Sequence, residues 1–416
     1  MKLYYSFILL LICAVGNAQI VDIPDANFKF QLVNTPCVDT NLDQIPEFDA
    51  DLNNDGEIQV SEAEAITGGL VVPWGFIDPV EDKIDDLTGI ESFVNIQLLS
   101  IFGNDIIGEL DLSPLTELTT VYADDNLLNS LIFENNPNLT VLYCGGNNLT
   151  TLDVSGAPAL TDLGAIDNWL GTLDLSQNLN LVDARVEDNF LTDVTLPATD
   201  TFTTLYIGQN RLEQIDLSPA SNLEIFWAYD NRFETFDPSV SPSLKTISLA
   251  DNDELVSVDF SQNVNLIELD VRFNDGLRTF NLKNGNNENM EYMLATSNVS
   301  LECVVVDDVT ATRPPCSGGF DGWCLGSAVI LTETECILGL DDINMVNLEL
   351  FPNPVEDLLT IQANGTIETV TIYSAQGVQV RQGIESIIDI CSLSSGLYFA
   401  EITVDGVTAT RRIIKE

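Results

Sequence analysis

The sequence predicts an α/β-type solenoid dominated by β structure, with one parallel strand in each coil of 21–22 residues, followed by a small antiparallel β-sandwich. Three observations predict it. Asparagines recur at Asn104, Asn126, Asn147, Asn168, Asn189, Asn210, Asn231, Asn252, Asn274 and Asn298, six of the spacings being 21 residues and the others 22, 22 and 24. The residue eight positions before each of them, from Ile96 and Leu118 to Leu266 and Met290, is apolar in every case. From Asn347 onward the pattern changes to short apolar runs separated by turn residues, about seven in 70 residues.

Composition narrows the chemistry before any motif is read. Lys and Arg number 15 against 65 Asp and Glu, a formal net charge of −50, while 45% of the 416 residues are hydrophobic. That apolar fraction is too high for a disordered acidic tail, so the chain folds, and its length suits two or three domains. A field of this sign repels phosphate backbones and anionic lipid heads, so nucleic acid and membrane surfaces are not expected partners. The chain has no histidine. Ser-His-Asp triads, Cys-His pairs and His-ligated zinc are therefore excluded.

Residues 1–18 read as a signal peptide. Lys2 precedes the apolar run from Phe7 to Val15, and Gly16-Asn17-Ala18 supplies the small residues of a cleavage site, so the mature chain is expected to begin at Gln19. No stretch reaches the roughly 18 apolar residues of a transmembrane helix. Export places Cys37, Cys144, Cys303, Cys316, Cys324, Cys336 and Cys391 in an oxidising compartment. An odd number leaves at least one unpaired.

The repeats occupy residues 93–306. Aligned on its asparagine, one coil reads Leu118, Val121, Ala123, Asn126, Leu128, Leu131, Phe133, and the next Leu139, Leu142, Cys144, Asn147, Leu149, Leu152, Val154. These residues resemble the leucine-rich repeat family over about half of the chain. A coil this short cannot bury its own apolar face, so neighbours stack into one continuous core. Each asparagine, with amide donors and a carbonyl acceptor, is expected to satisfy backbone groups where the chain turns inward. Cys144 falls between Ala123 and Ala165 of the adjacent coils and reads as a buried, unpaired small hydrophobe. Strand alternation leaves two outward positions per coil, four and two residues before each asparagine. Tyr122, Tyr143, Arg185, Tyr206, Trp227 and Tyr229 stand there, beside Gly145 and Gly208, and form the candidate ligand-binding surface of the concave sheet. The competing explanation is that strands favour aromatic residues anyway.

Ahead of the repeats, in a segment read as an N-terminal cap over residues 19–92, positions 51–62 fit D-x-[DN]-x-[DN]-G-x5-E throughout. The segment resembles the calcium loop of EF-hand and dockerin modules. The resemblance implies side-chain oxygens from Asp51, Asn53 and Asp55, the Glu57 carbonyl, a water held by Gln59 and a bidentate Glu62 around a turn at Gly56. The expected role of calcium is structural. Pro46 disfavours a regular entering helix, and an Asx-turn without a cation is the alternative. Upstream, Ile23-Pro24-Asp25-Ala26-Asn27-Phe28 followed by Leu32 suggests a short capped helix. The cap as a whole resembles those of secreted bacterial leucine-rich repeat proteins.

Residues 307–346 read as a cysteine-containing cap and linker. Cys303, Cys316, Cys324 and Cys336 can pair in three ways that the sequence does not separate, and Cys37 is a further candidate. In residues 347–416, the segments Phe351-Pro352-Asn353-Pro354, Ile372-Tyr373-Ser374-Ala375-Gln376-Gly377, Leu393-Ser394-Ser395-Gly396-Leu397-Tyr398 and the closing Arg411-Arg412-Ile413-Ile414-Lys415-Glu416 resemble the C-terminal sorting domain of the type IX secretion system. That resemblance implies a Bacteroidetes-type bacterium, Sec export, and type IX machinery that reads this tail and delivers the chain outside or onto the outer-membrane surface. The position of Cys391 has no explanation in the pattern.

The expected function is therefore that of a secreted or cell-surface interaction protein whose concave sheet binds a protein or polysaccharide, with no catalytic residues. Two alternatives are a polysaccharide lyase or hydrolase on a parallel β-helix and a purely structural adhesin. Asp162, Asp183, Arg185 and Glu187 are the acid-base candidates for the former, but they are expected to form a solvated patch without a perturbed carboxyl.

Overall fold

The computed structural model describes residues 19–73, 83–318, 322–336, 348–363, 365–375, 377–404 and 407–416. The candidate signal peptide lies outside the described residues. The chain divides into two compact units, Met1–Cys336 and Ile337–Glu416.

The first unit is a solenoid built on one long sheet of 13 strands. Its first pair, Val38–Asp39 with Gly69–Val71, is antiparallel, and from Gly69–Val71 to Gly322–Leu325 every further pairing is parallel. Register is constant across the middle: Thr120–Tyr122 pairs residue for residue with Val141–Tyr143, which pairs with Asp162–Gly164, then Asp183–Arg185, Thr204–Tyr206, Ile225–Trp227 and Thr246–Ser248. The central residue of each strand, such as Leu142, Leu163, Ala184, Leu205 and Phe226, points inward and is fully buried. These residues join the apolar positions of the rest of the coil in one continuous core. Burying a leucine of this kind is worth about 1.5–3 kcal/mol, which offsets the cost of ordering a coil that has no core of its own.

The asparagine ladder stitches coil to coil. The Asn189 side-chain amide donates to the Ala165 carbonyl of the preceding coil at 2.9 Å and to Val186 of its own at 3.3 Å, while its Oδ1 accepts the Leu170 N–H at 3.0 Å. Asn147, Asn168 and Asn210 repeat this arrangement. From Asn104 to Asn274 the ladder is buried, and Asn298 at its end is half-buried.

The solenoid differs from the one-strand expectation on its opposite side. Short parallel strands also form there, pairing Ile107–Asp111 with Leu127–Ile132, Thr172–Asp174 with Asp193–Thr195, and Ser257–Asp259 through Thr279–Asn281 and Cys303–Val305 to Ile330–Thr332. The cause is local alternation: in Thr172-Leu173-Asp174-Leu175 the two leucines are buried and Thr172 and Asp174 are exposed, a pattern with the period of a strand. The coils hold 3-10 turns such as Ser218–Ala220 and Pro238–Val240, whereas α-helices among the described residues are Ala26–Asn34 and Val60–Ala63 near the N-terminal end. Asp25 caps the first of these, accepting from the Asn27 and Phe28 amides at 2.8 Å.

Coil stacking also continues past Val306. Gly322–Leu325 extends the long sheet and Ile330–Thr332 the opposite one, so part of the segment read as linker is a further turn of the solenoid. Two disulfides hold it, Cys303–Cys336 and Cys316–Cys324, while Cys37 and Cys144 are buried free thiols.

The second unit packs a three-stranded antiparallel sheet, Leu348–Phe351, Leu358–Ala363 and Ile387–Asp389, with a four-stranded one, Gln379–Gly383, Ile367–Ser374, Gly396–Val404 and Val407–Lys415. Leu359, Ile361, Ile372, Ile402 and Ile413 lie in its core. Its motif residues have structural work: Asn353 donates to the Arg412 carbonyl and accepts the Ile414 amide, both at 2.8 Å, and the Tyr398 hydroxyl donates to the Ser394 carbonyl at 2.8 Å. The exposed cysteine of this unit is Cys391.

Candidate concave binding surface

The outward residues of the long sheet fall into straight rows because the register never slips. One row runs Tyr122, Tyr143, Gly164, Arg185, Tyr206, Trp227, Ser248, Asp270. Along it the Tyr122 and Tyr143 ring centroids stand 5.7 Å apart, and those of Tyr206 and Trp227 stand 5.2 Å apart edge to face. The Arg185 guanidinium lies 5.2 Å from the Tyr206 centroid and its Nε donates to Asp183 Oδ1 at 3.0 Å, so it is held on both sides. A Cβ built on Gly164 would approach the Tyr143 ring to 2.5 Å, so the glycine is what lets that ring lie flat across the next strand. In the second row, Tyr229 covers Gly208 in the same way, with 2.4 Å to a hypothetical Cβ, and its hydroxyl donates to Gln209 Oε1 at 3.3 Å.

The structure thus gathers Arg185, Tyr206, Trp227 and Tyr229 on neighbouring strands and keeps Tyr122 and Tyr143 as a separate pair, with Gly164 between the groups. Glu187 differs from the expected solvated patch. Its Oε2 is buried without a hydrogen-bond partner among the described residues, and burial raises its pKa above the ordinary carboxyl value. Tyr229 lies across Gly208 from the coil after that of Gly208, and its own pKa is raised by burial and then by the charge of Glu187. Asp124, also half-buried on this face, is raised for the same principal reason.

The surface is acidic as well as aromatic. Asp124, Asp162, Asp183, Glu187, Glu268 and Asp270 stand on the outward rows, whereas the cations there are Arg185 and Arg272, each paired with an aspartate at 3.0 and 2.7 Å. Immediately before each asparagine the backbone turns with positive φ, and Asp125, Asp167, Asp188, Asp230 and Asp251 occupy that position with φ of 52–56°. Aspartate tolerates the left-handed region better than most residues and takes five of these ten turns, with Gly103, Gly146, Gln209, Phe273 and Ser297 in the others.

Sequence reasoning missed a lateral stack one residue after the asparagines. Trp169 is 58% exposed, its ring lies 6.4 Å from Phe190 edge to face, and the Arg211 guanidinium lies 4.3 Å from the Phe190 centroid. The asparagine register contains the signal, since Trp169, Phe190 and Arg211 share one position in consecutive coils.

In the loop of residues 51–62, Asp51 accepts the Asp55 and Gly56 amides at 3.2 and 2.8 Å, and Glu62 accepts the Asn53 and Gln59 amides at 2.9 and 3.0 Å. The Gln59 side-chain nitrogen lies 3.1 Å from both Asp55 carboxylate oxygens and 3.4 Å from the Glu57 carbonyl. The Asn53 amide in turn donates to the Gln59 side-chain oxygen. The Glu57 carboxylate receives Lys29 Nζ at 2.5 Å. Donated hydrogen bonds from the Glu57 amide and then Gln59 hold Asp55 below the usual carboxylate range. Asp55 and the Glu57 carbonyl thus converge on the Gln59 side-chain nitrogen, and among the described residues no group of three or more His, Cys, Asp or Glu is placed to hold a metal ion. Gly56, with φ of 85°, makes the turn that allows the convergence.

Comparison with known proteins bears on the two ends of this description. Residues 349–416 match the family described as a secretion system C-terminal sorting domain. No curated protein sequence matches the chain. Among solved structures, the chain is similar to the functional domain of InlJ from Listeria monocytogenes, which includes a cysteine ladder, at 19% identity over 96% of this chain and 98% of that one, with a TM-score of 0.37. It is also similar to an internalin (inlF) from Listeria monocytogenes str. 4b F2365, at 20% identity over 69% and 92% with a TM-score of 0.44. A third is YopM from Yersinia enterocolitica WA-314, at 21% identity over 57% and 61% with a TM-score of 0.41. Among the described residues no helix is long and apolar enough to cross a membrane. The chain thus carries a secretion system C-terminal sorting domain at residues 349–416, which directs it outside or onto the outer-membrane surface, behind a solenoid of apolar coils stacked through a buried asparagine ladder.

Proposed function

We propose that the protein is an interaction module that binds a macromolecular partner, a protein or a polysaccharide, on the concave sheet and performs no reaction on it. The observation that carries this reading is the outward row itself. Arg185, Tyr206 and Trp227 contribute little to the core, yet they are held in contact in sequence on a sheet of constant register, with Tyr229 fixed across Gly208 in the neighbouring row. Such pre-positioned amphipathic side chains lose little conformational entropy on binding. The acid-base alternative has less support: Arg185 is engaged by Asp183, and the Glu187 Oε2 is buried with no hydrogen-bond partner among the described residues. We also read the loop of residues 51–62 as a structural calcium site that orders the segment at the head of the first coils. The deciding experiment is a glycan and surface-protein array probed with the chain lacking residues 347–416 and with its Trp227→Ala/Tyr206→Ala form. Partners captured by the first and lost by the second support the concave reading. Partners retained unchanged by both refute it.

A further inference from the structure

Near its C-terminal end the concave sheet is hollowed into a depression of about 410 Å³, with Trp227, Tyr229 and Tyr292 among its walls and Asp251, Asp270 and Arg272 among its polar groups. Arg272 shows what this surface does with a cation. Its Nε and Nη2 bind Asp270 Oδ1 and Oδ2 at 2.9 and 2.7 Å, and its guanidinium lies 5.9 Å from the Phe273 ring centroid. A fork of two charge-assisted hydrogen bonds beside an aromatic face is a favourable seat for a guanidinium.

Asp251 stands in the adjoining position with no ion pair of its own among the described residues, Arg272 acting on it only at longer range. It is exposed, its carboxylate accepts no hydrogen bond from any described residue, and its backbone is fixed by the positive-φ turn and by its amide donating to the Arg272 carbonyl at 3.0 Å. Burial and then the neighbouring charges of Asp230, Asp253 and Asp270 oppose its ionisation, and the charge of Arg272 offsets this only in part. An added cation beside Asp251 would relieve that repulsion, and the aromatic faces of Trp227 and Tyr229 border the same space. Charge complementarity extends beyond the depression, because Asp125, Asp167, Asp188 and Asp230 precede Asp251 at the same turn position of earlier coils.

We propose that this depression seats an arginine or lysine side chain from an extended basic segment of a protein partner, with Asp251 as its counter-charge and Trp227 and Tyr229 as its walls. The proposal rests on the concave-face reading above and narrows its partner to a cationic polypeptide. Further basic residues of the segment run along the turn aspartates of the earlier coils, which fixes its direction on the sheet.

The test uses the chain from Gln19 to Glu416 and fluorescein-labelled peptides of alternating glycine and arginine, glycine and serine, or glycine and glutamate, read by fluorescence anisotropy. The arginine peptide is expected to bind and the other two to fail. Asp251→Asn and Trp227→Ala should each weaken binding about tenfold, about 1.4 kcal/mol. Asp193→Asn, the same charge change on the opposite sheet, should leave it unaltered. Equal losses for Asp251→Asn and Asp193→Asn would overturn the proposal, since diffuse attraction to an acidic protein would then account for the binding. Equal binding of the serine peptide, or no binding of the arginine peptide, would overturn it too. In either case array partners that still depend on Trp227 and Tyr206 leave the broader concave reading standing, so the two failures are distinguishable.

Discussion

Tyr229 lies across Gly208, its ring 2.4 Å from where a Cβ on that residue would stand. Because the group crowded by a new Cβ is the movable ring and not the backbone, Gly208→Val should displace Tyr229 while changing global stability by less than about 1 kcal/mol. Under the concave-face reading the same substitution abolishes partner binding. Urea unfolding together with binding of any partner recovered from the arrays checks both halves. A loss of stability as large as a core deletion would mean that the ring is part of the packing instead of a surface held above it.

The two classes of buried asparagine should differ in cost. Asn189 uses its carbonyl and its amide, whereas Asn178 donates to Val154 and Ala157 at 2.9 and 3.0 Å while its Oδ1 has no partner among the described residues. Replacing Asn189 by Ala leaves a buried N–H as well as carbonyls unsatisfied and should cost about 3 kcal/mol or more. Asn178→Ala, which orphans carbonyls alone, should cost about 1–2 kcal/mol. Hydrogen exchange localised to the affected coils is the suitable measurement, since a repeat array need not unfold as one unit.

Glu187 gives a pH dependence of definite sign. Burial raises its pKa in the folded chain, so folding binds its proton more tightly than the unfolded chain does. Its contribution is most favourable where both states are protonated and declines as pH rises above the ordinary glutamate value of about 4.3. Glu187→Gln should therefore raise the melting temperature relative to the unaltered chain at neutral pH, with the difference shrinking towards pH ~4. A difference independent of pH would remove the buried carboxyl as its cause.

Much of this architecture is legible in the sequence because a solenoid writes its geometry as a period. The spacing of Asn126, Asn147 and Asn168 fixes the register, and register fixes that Tyr122 neighbours Tyr143 and that Tyr206 neighbours Trp227. Side-chain trajectories across strands are less legible. Nothing local to Gly208 announces that Tyr229, one coil on, reaches back across it, nor anything local to Glu187 that its Oε2 is buried. The second buried asparagine set escaped notice because Asn136, Asn178 and Asn263 recur in only some coils, with Ser241 taking the place in another, so no constant spacing advertises them. The opposite strands are written in two-residue alternations such as Leu173 and Leu175, too short to stand out against the stronger repeat.

The calcium reading makes a separable claim about the loop of residues 51–62. Glu62 accepts two backbone amides through different oxygens, which organises the loop and orients the carboxylate. A bound cation would add stability by mass action at a site the unfolded chain lacks. Addition of calcium after chelation should raise the melting temperature of the unaltered chain by several degrees and leave Glu62→Gln unmoved. Equal responses of the two proteins would exclude this loop as the responding site.

The Cys303–Cys336 bridge should matter most at the solenoid's open end. Cys303 begins a strand that pairs with Ile330–Thr332, and the bridge closes a chain segment of 33 residues that also contains Gly322–Leu325. Such a loop corresponds to about 3–4 kcal/mol of denatured-state entropy in the chain-entropy account. The last coil has no following neighbour of its own kind among the described residues, so that contribution falls where nearest-neighbour burial is least. Replacing both cysteines by alanine should accelerate hydrogen exchange in residues 322–336 by at least tenfold while coils near Asn147 keep their protection. Removing the smaller Cys316–Cys324 loop, with a separation of 8, should have the lesser effect because less chain is constrained. Uniform loss of protection from one end of the solenoid to the other would show instead that the bridge holds the whole array and not its terminal coil.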